Sequence, residues 1–246
     1  PQIYVHSVRD VLVGQYLVER SDVGTPEEPK SVYAIVAERE DQPLQPERRV
    51  GMVTTAWPLF YNTMFTALPR GTAAQAYRAF LGFDIAASEG LNWPVASEPV
   101  DYDQAGVQET ECAGCHSTLD PLAYPFATYN GLQSDASATF FMYDPDRIDK
   151  YFAFQQPGLS AMPEAGVIMG QPVADLLEWA QVAAESDPFF MATTADYWRL
   201  LIGEEPSPEH ADRYAEYTTL WQGLRDSDSV EAMLHELIDT EAYGAP

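Results

Sequence analysis

The chain has 246 residues and a mass of 27.3 kDa, which suits one large domain or two small ones. Hydrophobic residues make up 46% of it and aromatic residues 12%, so the chain can bury a core and is not disordered throughout. Its 38 acidic and 13 basic residues give a net charge of −25, which argues against binding to nucleic acid or to an anionic membrane surface. No apolar run reaches about 18 residues, so we expect no transmembrane segment.

The start of the chain and its cysteines add two further expectations. The chain begins with Pro1, and no charged-then-apolar signal segment precedes it, so we expect a processed protein or a fragment of a longer one. Two cysteines are too few for a disulfide framework, so their position carries more information than their number.

The first half of the chain has weak secondary-structure patterns. Residues 31–37 predict a strand or a buried stretch, and residues 139–143 can pair into a short hairpin. Residues 54–68 and 72–83 predict two helices, which the turn-forming residues between them separate. Residues 84–108 are rich in loop-forming residues.

The last third of the chain carries the clearest helix signals. Asp187-Pro188 opens a segment that closes at Gly203, with a cap residue, an early proline and a terminal glycine in the expected order. Apolar spacing after Pro172, Ser207-Pro208 and Ser229 predicts three more helices, and Ser229 is the expected cap of the last one. Brief connections between these helices indicate a small bundle, so the sequence predicts a mainly α fold.

Residues 112–116 read Cys-Ala-Gly-Cys-His, and both cysteines of the chain fall inside this motif. Cys-x-x-Cys-His is the attachment signature of c-type haem. Cysteines three residues apart on a helix can both form thioethers with the vinyl groups of one porphyrin edge, and the adjacent histidine then reaches the iron. The sequence therefore predicts one covalently attached haem c on Cys112 and Cys115, with His116 as the proximal iron ligand.

Other uses of the motif lack support in the sequence. A thioredoxin-like redox pair is expected within a βαβ pattern, which is missing here. A zinc site needs two further ligands at short spacing, and the remaining histidines, His6, His210 and His235, are scattered. Thioether attachment of haem takes place after export in bacteria, so we expect a periplasmic or extracellular protein.

Several residues compete for the second axial position on the iron. Met162 is our first choice, because it precedes Pro163 in a loop some tens of residues after the motif, which fits a compact class I cytochrome. Met169 is the competitor, and it also precedes a predicted helix. A histidine or an open site remains an alternative. The other methionines fit core or helix packing better, namely Met52, Met64, Met142, Met191 and Met233.

The proximal histidine and the haem propionates need hydrogen-bond partners. For the second ring nitrogen of His116 we expect a backbone carbonyl in the loop formed by residues 120–125. Arg147, Tyr129 and Trp93 are candidate donors to the propionates.

Five acidic residues precede Cys112 without an intervening Lys or Arg, and they predict a redox partner with a basic docking face. These residues are Glu98, Asp101, Asp103, Glu109 and Glu111. The same residues also fit an ordinary solvated surface on an acidic protein.

Short segments between roughly residues 48 and 243 carry a family resemblance. They are residues 49–55, Pro69-Arg70-Gly71, the Cys-x-x-Cys-His motif with Leu119-Asp120-Pro121-Leu122-Ala123, and in the tail Asp175-Leu176, Asp187-Pro188-Phe189-Phe190 and Leu201-Ile202-Gly203. Together they resemble the cytochrome c-like C-terminal domains of a planctomycete-type family of secreted bacterial proteins, also found in myxobacteria. Tyr129-Asn130-Gly131 departs from that family's usual aromatic-Asp-x-x-Gly turn. The resemblance implies a secreted haem protein and no particular reaction or distal ligand.

The sequence predicts a mainly α protein in three parts. Residues 1–48 are an irregular N-terminal segment, residues 49–170 a cytochrome c-like haem-binding domain, and residues 171–246 a C-terminal helical bundle packed on it. We expect a monohaem electron carrier rather than an enzyme, since the sequence contains no nucleotide-binding loop, Ser-His-Asp pattern or second haem motif. The alternatives are an open-site haem protein (an enzyme or a gas binder) and a haem-bearing subunit of a larger extracellular assembly or homo-oligomer.

Overall fold

The computed structural model describes residues 7–15, 17–36, 44–55, 68–87, 98–102, 104–134, 141–143 and 161–244. These residues are mainly helical, which confirms the predicted mainly α class. Among them, no helix is both long enough and apolar enough to cross a membrane.

The N-terminal part contains short elements and one hairpin. They are helix α1 (Asp10–Val13), strands β1 (Leu17–Asp22) and β2 (Ser31–Val36), and two 3₁₀ turns (Pro46–Arg48 and Gly51–Thr54). The two strands pair antiparallel, so that Leu17 lies opposite Val36 and Asp22 opposite Ser31. The structure confirms the predicted strand at residues 31–36. The sequence does not predict its partner β1, because the charged residues of this strand give no clear alternation of apolar and polar positions.

The middle of the chain is helical. It contains helix α2 (Arg70–Ala76), a π-helical turn that continues it (Tyr77–Leu81), a 3₁₀ turn (Ile85–Ala87), helix α3 (Thr110–Ala123) and a 3₁₀ segment (Tyr124–Gly131). Helix α2 and its continuation confirm the helix predicted over residues 72–83. The helix predicted over residues 54–68 falls mostly on residues outside the described ranges.

Two short antiparallel hairpins follow. They pair strands β3 (Leu132–Ser134) with β4 (Phe141–Tyr143) and β5 (Gly166–Ile168) with β6 (Gln171–Val173). Strand β4 confirms the pairing predicted near residues 139–143. The turn between β5 and β6 consists of Met169 and Gly170, whose φ angles are +47° and +78°. A two-residue turn in which both φ angles are positive matches the twist of the flanking strands. Glycine adopts a positive φ angle without strain, which explains its presence at position 170.

The C-terminal part is a set of helices joined by brief connections. They are α4 (Leu176–Ala184), α5 (Asp187–Ile202), α6 (Ala211–Ser227), α7 (Val230–Ile238) and α8 (Glu241–Gly244). Gly203 ends α5 with φ +85°, as predicted. The side chain of Ser229 caps α7 by accepting the backbone N–H of Ala232 at 3.2 Å, also as predicted.

Two predicted helix starts are wrong. Pro172 lies in strand β6, and α4 begins only after Asp175, whose carboxylate accepts the backbone N–H of Glu178 at 2.9 Å. The helix predicted from Ser207 begins at Ala211, after a turn that precedes it. In both cases the predicted start lies ahead of the residue where the backbone becomes helical.

Among the described residues, buried side chains from the N-terminal, middle and C-terminal parts form a connected core. Trp179 of α4 is fully buried and packs edge-on against Tyr77 and Phe126, with ring centroids 5.4 and 5.2 Å away. The Trp179 indole N–H donates to the Tyr77 hydroxyl at 3.1 Å, and this hydroxyl donates to the carbonyl of Val167 at 3.1 Å. Burial raises the pKa of Tyr77 above its usual value, so the phenol stays a neutral donor. These contacts tie α4 to β5 and to the turn that follows α2.

The N-terminal residues contribute to the same core. Leu12 of α1 is completely buried, and α1 packs against α4. The Arg9 guanidinium lies 3.0 Å from the carboxylate of Glu185 and 2.8 Å from that of Asp228. These ion pairs connect the first described residues to the C-terminal helices.

Candidate functional site

The Cys-x-x-Cys-His motif lies in the first two turns of helix α3. The helix begins where the backbone N–H groups of Cys112 and Ala113 donate to the carbonyl of Glu109, at 2.8 and 2.9 Å. Cys112, Cys115 and His116 stand three and four residues apart, so they share one face of the helix. Both thiols are free and exposed, so a ligand lying across this face can reach them.

The imidazole of His116 is held by a carboxylate one turn further along the same helix. Its Nδ1 lies 2.9 Å from Oδ1 of Asp120, whose side chain is completely buried. A carboxylate only accepts hydrogen bonds, so Nδ1 carries the proton and the lone pair of a neutral ring lies on Nε2.

The predicted backbone acceptor for His116 is therefore wrong. Residues 120–123 continue helix α3 through Pro121 rather than forming a loop. Because Asp120 lies four residues after His116 on this helix, its side chain is beside the imidazole and accepts in place of a carbonyl.

Arg70 fixes the orientation of the Asp120 carboxylate. Its Nε lies 2.6 Å from Oδ1 and its Nη2 lies 3.0 Å from Oδ2, so the planar guanidinium meets the carboxylate at two points. Arg70 is the first residue of α2, which packs against α3. Two of the segments that carry the family resemblance, residues 69–71 and 119–123, therefore meet at one ion pair.

These residues fit a covalently attached haem. Two exposed thiols on one helix face supply the thioether positions, and Nε2 of His116 is available as an axial ligand. Among the described residues, none has an atom within 4 Å of the position that a Cβ on Gly114 would take, so none of them covers the helix surface between the cysteines. A carboxylate on the second nitrogen of a ligating histidine is a usual way to orient such a ring.

The segment that carries Met162 contacts two other parts of the chain. Met162 is half-buried and packs against the core. Two residues further on, the Glu164 carboxylate lies 3.4 Å from Nη1 of Arg48. Gly166 lies so close to α3 that an added Cβ would stand 2.4 Å from the carbonyl oxygen of Pro121. The segment therefore returns to the end of the helix that carries the motif.

Met169 has surroundings that differ from those predicted. It is followed by strand β6 rather than by a helix, and it occupies the turn between β5 and β6. Like Met162 it is half-buried and packs against the core. Both candidates for the distal ligand therefore belong to one short segment, and Met162 stays our prediction.

The remaining histidines and methionines are placed as follows. His210 and His235 are both exposed. Met233 is buried in the core, Met191 is half-buried, and Met52 is 55% exposed. Outside the described part of the chain lie His6, Met64 and the side chain of Met142.

Tyr129 is a predicted donor to a haem propionate, but its hydroxyl makes a hydrogen bond within the protein. It is buried, and its hydroxyl donates to the carbonyl of Arg48 at 2.8 Å. The Arg48 guanidinium lies over the Tyr129 ring, 4.6 Å from its centroid. The other two predicted donors, Arg147 and Trp93, lie outside the described residues.

The acidic residues ahead of the motif divide into two groups. Asp101 accepts the backbone N–H groups of Ala105 and Gly106 at 2.8 and 3.0 Å, so it stabilises a turn before α3. Asp103 lies outside the described residues. The others are exposed, namely Glu98, Glu109 and Glu111.

Comparisons with known protein families, with curated proteins and with solved structures find no match for this chain. Within the described ranges, no group of three or more His, Cys, Asp or Glu side chains is placed to hold a metal ion. A functional proposal therefore depends on the motif of helix α3 and the residues that surround it.

We expect Gly166→Ala to disrupt the packing of β5 on helix α3. The new methyl group would overlap the backbone oxygen of Pro121 and stand 2.5 Å from Cδ of Pro125. Overpacking of this kind costs about 1–3 kcal/mol of the free energy of unfolding. Gly71→Ala in α2 is the matched control, because no atom of the described residues lies within 4 Å of its added Cβ. Chemical denaturation measures both, and a Gly166→Ala variant as stable as the control would contradict the described contact.

Proposed function

We propose that this protein is a monohaem c-type cytochrome that transfers electrons outside the cytoplasm. The observation that carries the proposal is the helical Cys-x-x-Cys-His motif, whose two thiols are free and exposed. It is supported by Asp120, which accepts at Nδ1 of His116 and so leaves Nε2 for iron. Haem bound at this site supplies a one-electron carrier.

Each site residue has a separate role in this proposal. Cys112 and Cys115 hold the porphyrin by thioether bonds, so the cofactor stays on the protein throughout its work. His116 binds the iron through Nε2. Met162 would supply the second iron ligand, and a thioether ligand raises the reduction potential relative to a second histidine. The residues around α3 then form a cytochrome c-like haem domain within the mainly α fold.

The proposed location and partners follow from the cofactor and the size of the chain. Because haem is attached to such motifs after export in bacteria, the protein works in the periplasm or outside the cell. A mass of 27.3 kDa is large for a single haem, so much of the surface serves contact with a redox partner or with other subunits of an extracellular assembly.

Absorption spectra of the haem-loaded protein test the electron carrier against an open-site haem protein. A six-coordinate, low-spin ferric spectrum, together with a reduced form that ignores added carbon monoxide, supports electron transfer. A high-spin ferric spectrum and a carbon monoxide adduct would assign the protein to the open-site class. Size-exclusion mass measurement separates a monomer from an assembly.

We expect the rate of electron transfer from a basic donor protein to fall as the salt concentration rises. The chain carries a net charge of −25, and Glu109 and Glu111 are exposed at the start of the motif helix. Opposite charge speeds association, and salt screens it beyond about 8 Å at physiological ionic strength. Stopped-flow reduction measures the salt slope, which a Glu109→Gln, Glu111→Gln variant should reduce. A rate that is independent of salt would reject the basic docking face.

A further inference from the structure

The buried carboxylate of Asp120, which Arg70 also contacts, accepts a hydrogen bond from the imidazole of His116. Oδ1 of Asp120 lies 2.9 Å from Nδ1 of His116 and 2.6 Å from Nε of Arg70. The exposed fraction of the side chain is 0% for Asp120, 21% for Arg70 and 23% for His116. The carboxylate is therefore shielded from water, whereas part of the imidazole is exposed to solvent.

A carboxylate affects an imidazole more strongly than a backbone carbonyl does. Either acceptor fixes the tautomer and the direction of the ring, and both strengthen Nε2 as a donor. The carboxylate of Asp120 also places a negative charge against the ring, where burial keeps water from screening it. Such a charge favours the ferric over the ferrous state, because the ferric iron carries one more positive charge.

Arg70 keeps this carboxylate in place. Its two-point contact fixes the plane of the Asp120 carboxylate, and its positive charge offsets the cost of burying that group. Asp120 contacts the imidazole directly, and Arg70 reaches His116 through it. Because Arg70 begins α2 whereas His116 lies in α3, the direction of the ring depends on the packing of both helices.

We propose that Arg70 and Asp120 are positioning residues of the haem site. They hold His116 with Nε2 toward the iron, and they lower the reduction potential below the value that a neutral acceptor would give with the same iron ligands. The inference rests on the proposed function, since it needs haem on Cys112 and Cys115. The effect of Arg70 and Asp120 on the reduction potential is opposite to that of a methionine ligand, which raises it.

Asp120→Asn tests this inference, because an amide oxygen can still accept a hydrogen bond from Nδ1–H of His116 while the negative charge is lost. We expect a more positive midpoint potential, with at least a tenfold change in the ferric-to-ferrous ratio, which equals about 59 mV for a one-electron couple. Asp84→Asn is the matched control, since it removes a carboxylate 3.0 Å from the Arg78 guanidinium in the turn after α2. The control should keep the wild-type potential.

Spectroelectrochemical titration of the three haem-loaded proteins gives the result. Equal potentials for wild type and Asp120→Asn would overturn the inference and leave the proposed function intact. A wild-type chain that takes up no covalent haem would overturn the proposed function and the inference with it. If Asp120→Asn does not fold, NMR of the reduced wild type decides. A slowly exchanging Nδ1 proton on His116 is expected, and one in fast exchange with water would overturn the inference.

Discussion

The Cys112→Ala, Cys115→Ala double variant is expected to lose covalent haem and much of the thermal stability of the loaded protein. Both side chains are exposed, so truncating them leaves no cavity in the core. We therefore expect the loss of stability to come from the contacts of the haem. If the contacts of the attached haem stabilise the fold as much as a free ligand at a hundredfold excess over its Kd would, by about 2.7 kcal/mol, Tm falls by roughly 5–11 °C in a chain of this size.

Calorimetry of three preparations separates the haem from the thiols. They are haem-loaded wild type, the double variant, and wild type made without the attachment machinery. The last two should unfold at similar temperatures, because alanine is at least as good a helix former as cysteine. A double variant as stable as the loaded wild type would show that the haem is not part of the fold. One that is much less stable than unloaded wild type would show that the thiols themselves stabilise α3.

Met162→Ala is expected to open the sixth coordination position of the iron. Loss of the thioether should erase the near-infrared sulfur-to-iron charge-transfer band, lower the potential and admit carbon monoxide. Pro163 restricts Met162 to an extended backbone, and Glu164 is held 3.4 Å from the Arg48 guanidinium, so the structure fixes the course of this loop. Met169→Ala is the matched control, since that side chain is also half-buried against the core.

Spectra of the two methionine variants distinguish the candidates. Met169→Ala should keep the charge-transfer band and exclude carbon monoxide. Both methionines are half-buried against the core, so we expect a general loss of stability to affect both variants. The reverse pattern would give the ligand role to Met169. Unchanged spectra in both variants would point to a histidine.

Residues that cap or terminate a helix predict where that helix starts or ends. Gly203 and Ser229 act within one helical turn, and the structure confirms the helix end and the helix start that they predict. The apolar spacing after Pro172 is less decisive, because it fits a strand as well as a helix over so few residues. Pairing of β6 with β5 makes Pro172 part of a strand, and Asp175 supplies the helix cap.

Local sequence patterns predict only some of the contacts that the motif makes. The i, i+4 spacing of His116 and Asp120 indicates their contact once residues 110–123 are assigned to one helix, but the prolines after Asp120 favour a loop. Arg70 contacts Asp120 from 50 residues earlier in the chain, and no local pattern connects them. Their pairing depends on how α2 packs against α3, which is a property of the folded chain.

A pyridine haemochrome assay on the mature protein, produced together with haem-attachment machinery, tests the haem assignment most directly. The proposed function predicts one haem per chain, which resists extraction by acidic solvent and gives the reduced pyridine spectrum of a porphyrin with thioether side chains. The double cysteine variant should give no such spectrum. A wild-type protein that yields no haem, or only haem that the solvent removes, would contradict the assignment of Cys112, Cys115 and His116 to a c-type haem site.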